Sequence, residues 1–172
     1  MDAGVAVVGV AAAGLIVWVH RSTPVTAIFL AGVVLVSAWL SGIDFREHRL
    51  PNRIVGPLAA AAAVWVVGMG IAADDAGRIG QAFALAALAF VVLLVMNIAA
   101  NFGMGDVKYG ATAALILGWF GATALSTAVI VMALSGGVVA LFMLARGHRE
   151  QALAYGPYLA LGLVAGLVVA GL

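Results

Sequence analysis

Seven long apolar runs follow one another along this chain, joined by short connections. They read roughly as 3–19, 24–42, 54–72, 79–100, 106–120, 123–145 and 154–171, since a hydrocarbon layer ~30 Å thick takes about 20 apolar residues of helix. Backbone groups in lipid must be satisfied inside their own segment or in a closed barrel. The runs are continuous and lack the period-two alternation of a membrane barrel, so they predict helices. The expected fold is all-α, a polytopic transmembrane helix bundle of seven spans. Composition agrees: 66% of the 172 residues are hydrophobic and 9% charged, against about 45–50% and about 25% in soluble domains. A chain this short has too little interior to hide that much apolar surface from water.

The charges orient the spans. The eight cations are Arg21, Arg46, Arg49, Arg53, Arg78, Lys108, Arg146 and Arg149. With the N-terminus cytoplasmic, all but Arg21 and Arg78 flank the connections after the second, fourth and sixth runs, on the cytoplasmic side. The positive-inside rule favours that orientation. It describes a multi-pass protein of the plasma (inner) membrane. The first run has Asp2 as its only early charge and no basic segment ahead of it, so it reads as a retained helix rather than a signal peptide. A net charge of +1 offers no basic field for nucleic acid. Cysteine is absent, which removes disulfides, thiolate nucleophiles and Cys-based zinc sites. His20, His48 and His148 are scattered and do not suggest a metal site. No cofactor is expected.

Of the seven acids, five have plain positions. Asp2 is terminal, Asp74 and Asp75 sit in an outside connection, Glu150 sits in a cytoplasmic one, and Glu47 follows a helix end. Asp44 and Asp106 stand at the cytoplasmic boundary of apolar runs, where an ionised carboxylate is costly unless paired or wetted. Two readings fit them. Either they are interfacial acids reaching into headgroups, or they converge in one cavity and share a proton. In the second case the ionised member activates water and the protonated one polarises a carbonyl.

The flanking residues add to this. Before the second acid stands Gly103-Met-Gly105-Asp106, and Lys108, the single lysine of the chain, follows two residues on. A G-x-G triplet alone is uninformative in so glycine-rich a chain, and Gly68-Met-Gly70 is another. Gly103 and Gly105 next to an acid permit tight backbone geometry and leave room for a substrate chain. Lys108, two positions along a helix, does not face the same way as Asp106, which suits it to headgroups or to substrate. After the first acid the chain reads Asp44-Phe-Arg46-Glu-His-Arg49-Leu50-Pro51-Asn52-Arg53. Pro51 disfavours helix at Leu50, so this segment is expected as a structured loop. Arg49 and Arg53 suit a positive-inside anchor; Arg46, two residues from the acid, suits the site. Asn97 and Asn101, four apart, share a face if their helix continues, either lining a site or bonding between helices.

Asp44-x-Arg46-x-x-x-Leu50-Pro51-Asn52 followed by Gly103-x-Gly105-Asp106-x-Lys108 resembles the type IV prepilin peptidases, membrane-embedded aspartic peptidases with a G-x-G-D motif. Tyr155-Gly156-Pro157-Tyr158-Leu159-Ala160-Leu161-Gly162 resembles a recurring segment of that family at the start of its last helix. The resemblance covers roughly residues 24–171 and leaves the first helix extra, within a single transmembrane domain spanning 1–172. It implies an endopeptidase that removes the short basic leader from prepilin-like precursors at the cytoplasmic face. Asp44 and Asp106 would be the catalytic pair, and the partners would be the precursor and membrane lipid. Many bacterial members also carry a loop with paired CxxC motifs and N-methylate the trimmed pilin. This chain has no cysteine and no loop long enough for such a domain, so it resembles the short, peptidase-only members, including those serving tight-adherence pili and the archaeal preflagellin peptidases. No methyltransferase activity is expected.

Two other readings compete. Presenilin and signal-peptide-peptidase relatives also use G-x-G-D, but pair it with Tyr-Asp and Pro-Ala-Leu, which this chain lacks. A proton-coupled transporter could use two membrane carboxylates. It would more often place them near mid-membrane and show an internal repeat, and neither is seen here.

Overall fold

The computed structural model describes residues 3–100, 103–146 and 154–172. Among these the chain forms seven α-helices and no strand. They are α1 (Ala3–Val19), α2 (Pro24–Glu47), α3 (Asn52–Ala72), α4 (Ala76–Ala100), α5 (Met104–Phe120), α6 (Ala122–Ala145) and α7 (Gly156–Gly171). Each expected run has its helix. Asp2, Asn101, His148, Arg149 and Glu150 lie outside the described residues.

The protein is an all-helical, multi-pass membrane protein. α2, α3, α4 and α6 are long and apolar enough to cross a membrane. α1 and α7 are apolar but shorter, at 17 and 16 residues, or about 24–26 Å at the helical rise. Large apolar side chains stand exposed along α4 and α6, among them Val91, Val95, Ile98, Leu134, Val138 and Leu141. Soluble proteins rarely leave such contiguous apolar faces uncovered, and lipid is the solvent that suits them.

The largest departure from expectation is at the end of α2. An apolar count closes this span at 42, yet the helix continues to Glu47. Hydropathy reports the thickness of hydrocarbon, and a helix can run on into the headgroup layer once its side chains turn polar. Asp44 and Arg46 are therefore helical rather than in a loop. His48 ends the helix in the left-handed conformation (φ 49°), and its N–H donates to the carbonyl of Asp44 at 2.9 Å. The break expected before Pro51 is present. Pro51 is extended, and its carbonyl accepts from the N–H groups of Ile54 and Val55, which starts α3 at Asn52.

Packing divides the chain into two compact units, Met1–Arg49 with Ser126–Leu172, and Leu50–Leu125. In the first, α2 packs on α1 and α7. Gly9 lets α1 close on α2, since a Cβ there would fall 2.7 Å from Ala38 Cβ. At the far end of α7, His20 Nε2 lies 2.9 Å from the carbonyl oxygen of Leu167.

In the second unit α5 is the central helix, packed on α3 and α4 and buried along nearly all of Asp106 to Trp119. Gly118 allows the close approach of α4, because a Cβ there would lie 3.0 Å from Ala82 Cα. The amide of Gln81 donates to the Gly118 carbonyl at 3.0 Å. At this end Trp65 meets Trp119 edge-on at 6.1 Å, and Arg78 lies 5.1 Å over the Trp119 ring. Asp75 accepts from the N–H of Arg78 and pairs with its side chain at 3.3 Å. Arg21 in the first unit also lies over an indole, that of Trp18, at 5.2 Å. The two arginines assigned from sequence to the outer side thus both rest on tryptophan, a pairing that suits a membrane–water boundary.

Candidate active site

Asp44 and Asp106 are the two buried acids among the described residues, at 2% and 7% exposure. Glu47 and Asp74 are exposed and Asp75 is half-buried. A carboxylate enclosed in an apolar helical protein loses hydration and must be held by donors or have a chemical task.

In the first unit, Ser37, Ser41 and Asp44 recur at helical spacing along α2 and form a polar stripe. Ser37 and Ser41 return their hydroxyls to the carbonyls of Val33 and Ser37, at 2.7 and 2.8 Å, as serines in apolar helices do. Asp44 reaches across to α7 instead. Its Oδ2 accepts the backbone N–H of Gly156 at 2.8 Å in a buried contact. Gly156 is the first residue of α7, so its N–H is a helix-end donor with no partner inside the helix. Arg46, on the last turn of α2, is exposed where Asp44 is buried. Two residues along a helix turn a side chain by about 200°, so the two leave the helix on different sides.

In the second unit, Gly103 caps α5 with an extended backbone, and Asp106 is the third helical residue. The Asp106 side chain lies back over Gly103: a Cβ at 103 would fall 2.5 Å from Asp106 Oδ2. Gly105 faces Leu50, whose Cβ and carbonyl oxygen would each be 2.8 Å from an added Cβ. The glycines thus make room for the protein's own atoms, the first for the Asp106 carboxylate and the second for the backbone entering α3. Lys108 is half-buried, and its Nζ donates to Asn52 Oδ1 at 3.0 Å.

Each unit therefore gathers part of the expected set. The first holds Asp44 and Arg46, and the second holds Gly103, Gly105, Asp106 and Lys108. Two contacts escaped the sequence reading, Gly156 on Asp44 and Asn52 on Lys108. Both partners lie in segments already singled out, Tyr155-Gly156-Pro157 and Leu50-Pro51-Asn52, but without a task. Asn97 lies on α4, half-buried. Among the described residues no group of three or more His, Cys, Asp or Glu side chains could hold a metal ion.

Comparison with known families finds a match to the type IV leader peptidase family over residues 28–145. That span contains Asp44, the Gly103-x-Gly105-Asp106 motif and Lys108, and ends before Gly156. Neither the curated proteins nor the solved structures yield a match. The matched span takes in most of the chain, from α2 through α6, and the chain belongs to the type IV leader peptidase family.

Proposed function

We propose that this peptidase is an aspartic-type endopeptidase. It removes the short basic leader from prepilin-like precursors at the cytoplasmic face of the plasma membrane, and Asp44 and Asp106 are its catalytic pair. The observation that carries the reading is the burial of these two acids, and of no other described acid, in a leader-peptidase family member. One carboxylate takes a proton from the attacking water while the other, protonated, hydrogen-bonds the scissile carbonyl oxygen. The tetrahedral intermediate then collapses as that proton passes to the leaving amine. Neither acid can do both tasks at once, which accounts for two. Family membership favours this over a proton-coupled transporter, whose acids would need no flanking glycine motif.

Substrate recognition follows from the precursor's form: a basic leader, the cleavage point, an acidic residue shortly after it, and an apolar helix. The helix lies in the bilayer, and the acidic residue then enters low-dielectric surroundings and needs a cationic partner. Lys108 and Arg46 supply it. Gly103 and Gly105 shape the acid's surroundings by leaving space for its carboxylate and for Leu50.

The test is direct. Membranes containing the protein are incubated with a prepilin-like precursor, and the product is sized and its new N-terminus read. A product shortened by the leader is expected; a precursor that stays intact contradicts the proposal.

A further inference from the structure

Asp44 is gripped by a residue that the family match does not reach. Gly156 stands beyond residue 145, where the match ends, and its N–H is the buried donor to Asp44 Oδ2 at 2.8 Å. The start of α7 leaves this donor for the acid. Pro157 has no N–H. The N–H groups of Tyr158 and Leu159 both donate to the carbonyl of Tyr155, at 3.1 and 3.0 Å. Among residues 156–159, Gly156 is the one whose N–H points out of the helix to Asp44. It is also pressed against the acid: an added Cβ would fall 2.9 Å from Oδ2, 3.0 Å from Cβ and 3.2 Å from Cγ of Asp44. A side chain here would push the carboxylate aside, so glycine is needed for both the bond and the space.

We infer that Gly156 is a positioning residue for the reaction, which divides the work between the two oxygens of Asp44. This rests on the reading of Asp44 as catalytic. Oδ2 is committed as an acceptor to the Gly156 N–H. Oδ1 is thereby the oxygen that handles the proton, whether on water or on the scissile carbonyl. The C-terminal helix is part of the catalytic apparatus in this account. Pro157 contributes by fixing the backbone just after the donor, which keeps the N–H aimed without help from a side chain.

The experiment compares four variants of the full-length protein in detergent or lipid, with kcat and KM measured on one prepilin-like precursor and expressed per folded enzyme. Gly156→Ala inserts the methyl group against the carboxylate. An ester at position 156, with glycolic acid in place of glycine, removes the N–H and adds no bulk. Gly9→Ala is a packing control in the same unit, and Asp44→Asn tests the underlying reading. The expected result is a fall in kcat of about tenfold or more for both Gly156 variants, as for a lost hydrogen bond to a charged group, with KM within about threefold. Gly9→Ala should lower thermal stability and leave kcat near wild type. If Gly156→Ala does not accumulate, the ester decides alone. Wild-type kcat in the ester variant, a loss carried by KM alone, or an equal kcat loss in Gly9→Ala would overturn the inference while an inactive Asp44→Asn leaves the catalytic reading intact. An active Asp44→Asn would overturn both.

Discussion

Asn52 Oδ1 accepts a hydrogen bond from Lys108 Nζ at 3.0 Å, so the single lysine of the chain is held by the first residue of α3. In water that amide oxygen would accept from solvent; here it accepts from a long, flexible cation at the surface and gives it a preferred direction. The bond leaves the ammonium its charge and two further N–H donors, which is what a reader of a substrate carboxylate requires.

Lys108→Ala should therefore weaken processing of an ordinary precursor by about ten- to a hundredfold, the range for a hydrogen-bonded charge. A precursor whose acidic residue after the cut has been neutralised should lose little further. Arg46→Ala should show the same pattern more weakly, because Arg46 is exposed and solvent screens it. Asn52→Ala keeps the charge and frees its direction, so a loss of only a few-fold is expected. Equal losses on both precursors, in kinetics measured side by side, would show that these cations do not read that residue.

The two motif glycines should fail differently. Gly103→Ala places its methyl group on the Asp106 carboxylate, so kcat should fall by tenfold or more with little change in thermal stability. Gly105→Ala meets the backbone of Leu50, which cannot swing away. It should lower stability by about 1–3 kcal/mol, as overpacking does, seen as a lower midpoint in thermal unfolding. Identical behaviour of the two variants would contradict these assignments.

Activity should fall at both ends of the pH range. The mechanism needs one carboxylate ionised and one protonated, so acid removes the base and alkali removes the proton donor. The two limbs belong to the pair rather than to either residue. A rate that stays flat from acid to alkaline pH would exclude a shared-proton pair.

The helices were legible in the sequence because lipid leaves the backbone no other solution, and the apolar runs mark where it applies. Their ends were less so. Residues Asp44–Glu47 continue α2 because polar side chains in the headgroup layer do not stop a helix, and hydropathy cannot sense that. The two acids were visible as charges at the edge of apolar runs. Their holders were not: Gly156 is 112 residues from Asp44, and Asn52 is 56 from Lys108. A backbone N–H carries no sequence signature at all, and it becomes a donor to Asp44 only once α7 is packed on α2. The motif glycines promise tight backbone geometry and room beside the acid, and the distances put the Asp106 carboxylate close to Gly103 and Leu50 close to Gly105.

The central claim, that Asp44 and Asp106 form one catalytic pair, is tested most directly by replacing each with asparagine, which keeps the shape and removes the ionisable proton. Purified Asp44→Asn and Asp106→Asn should each retain wild-type helical content and a cooperative thermal transition. Each should leave a prepilin-like precursor uncleaved over times in which the parent enzyme converts it fully. Substantial cleavage by either folded variant would contradict the account.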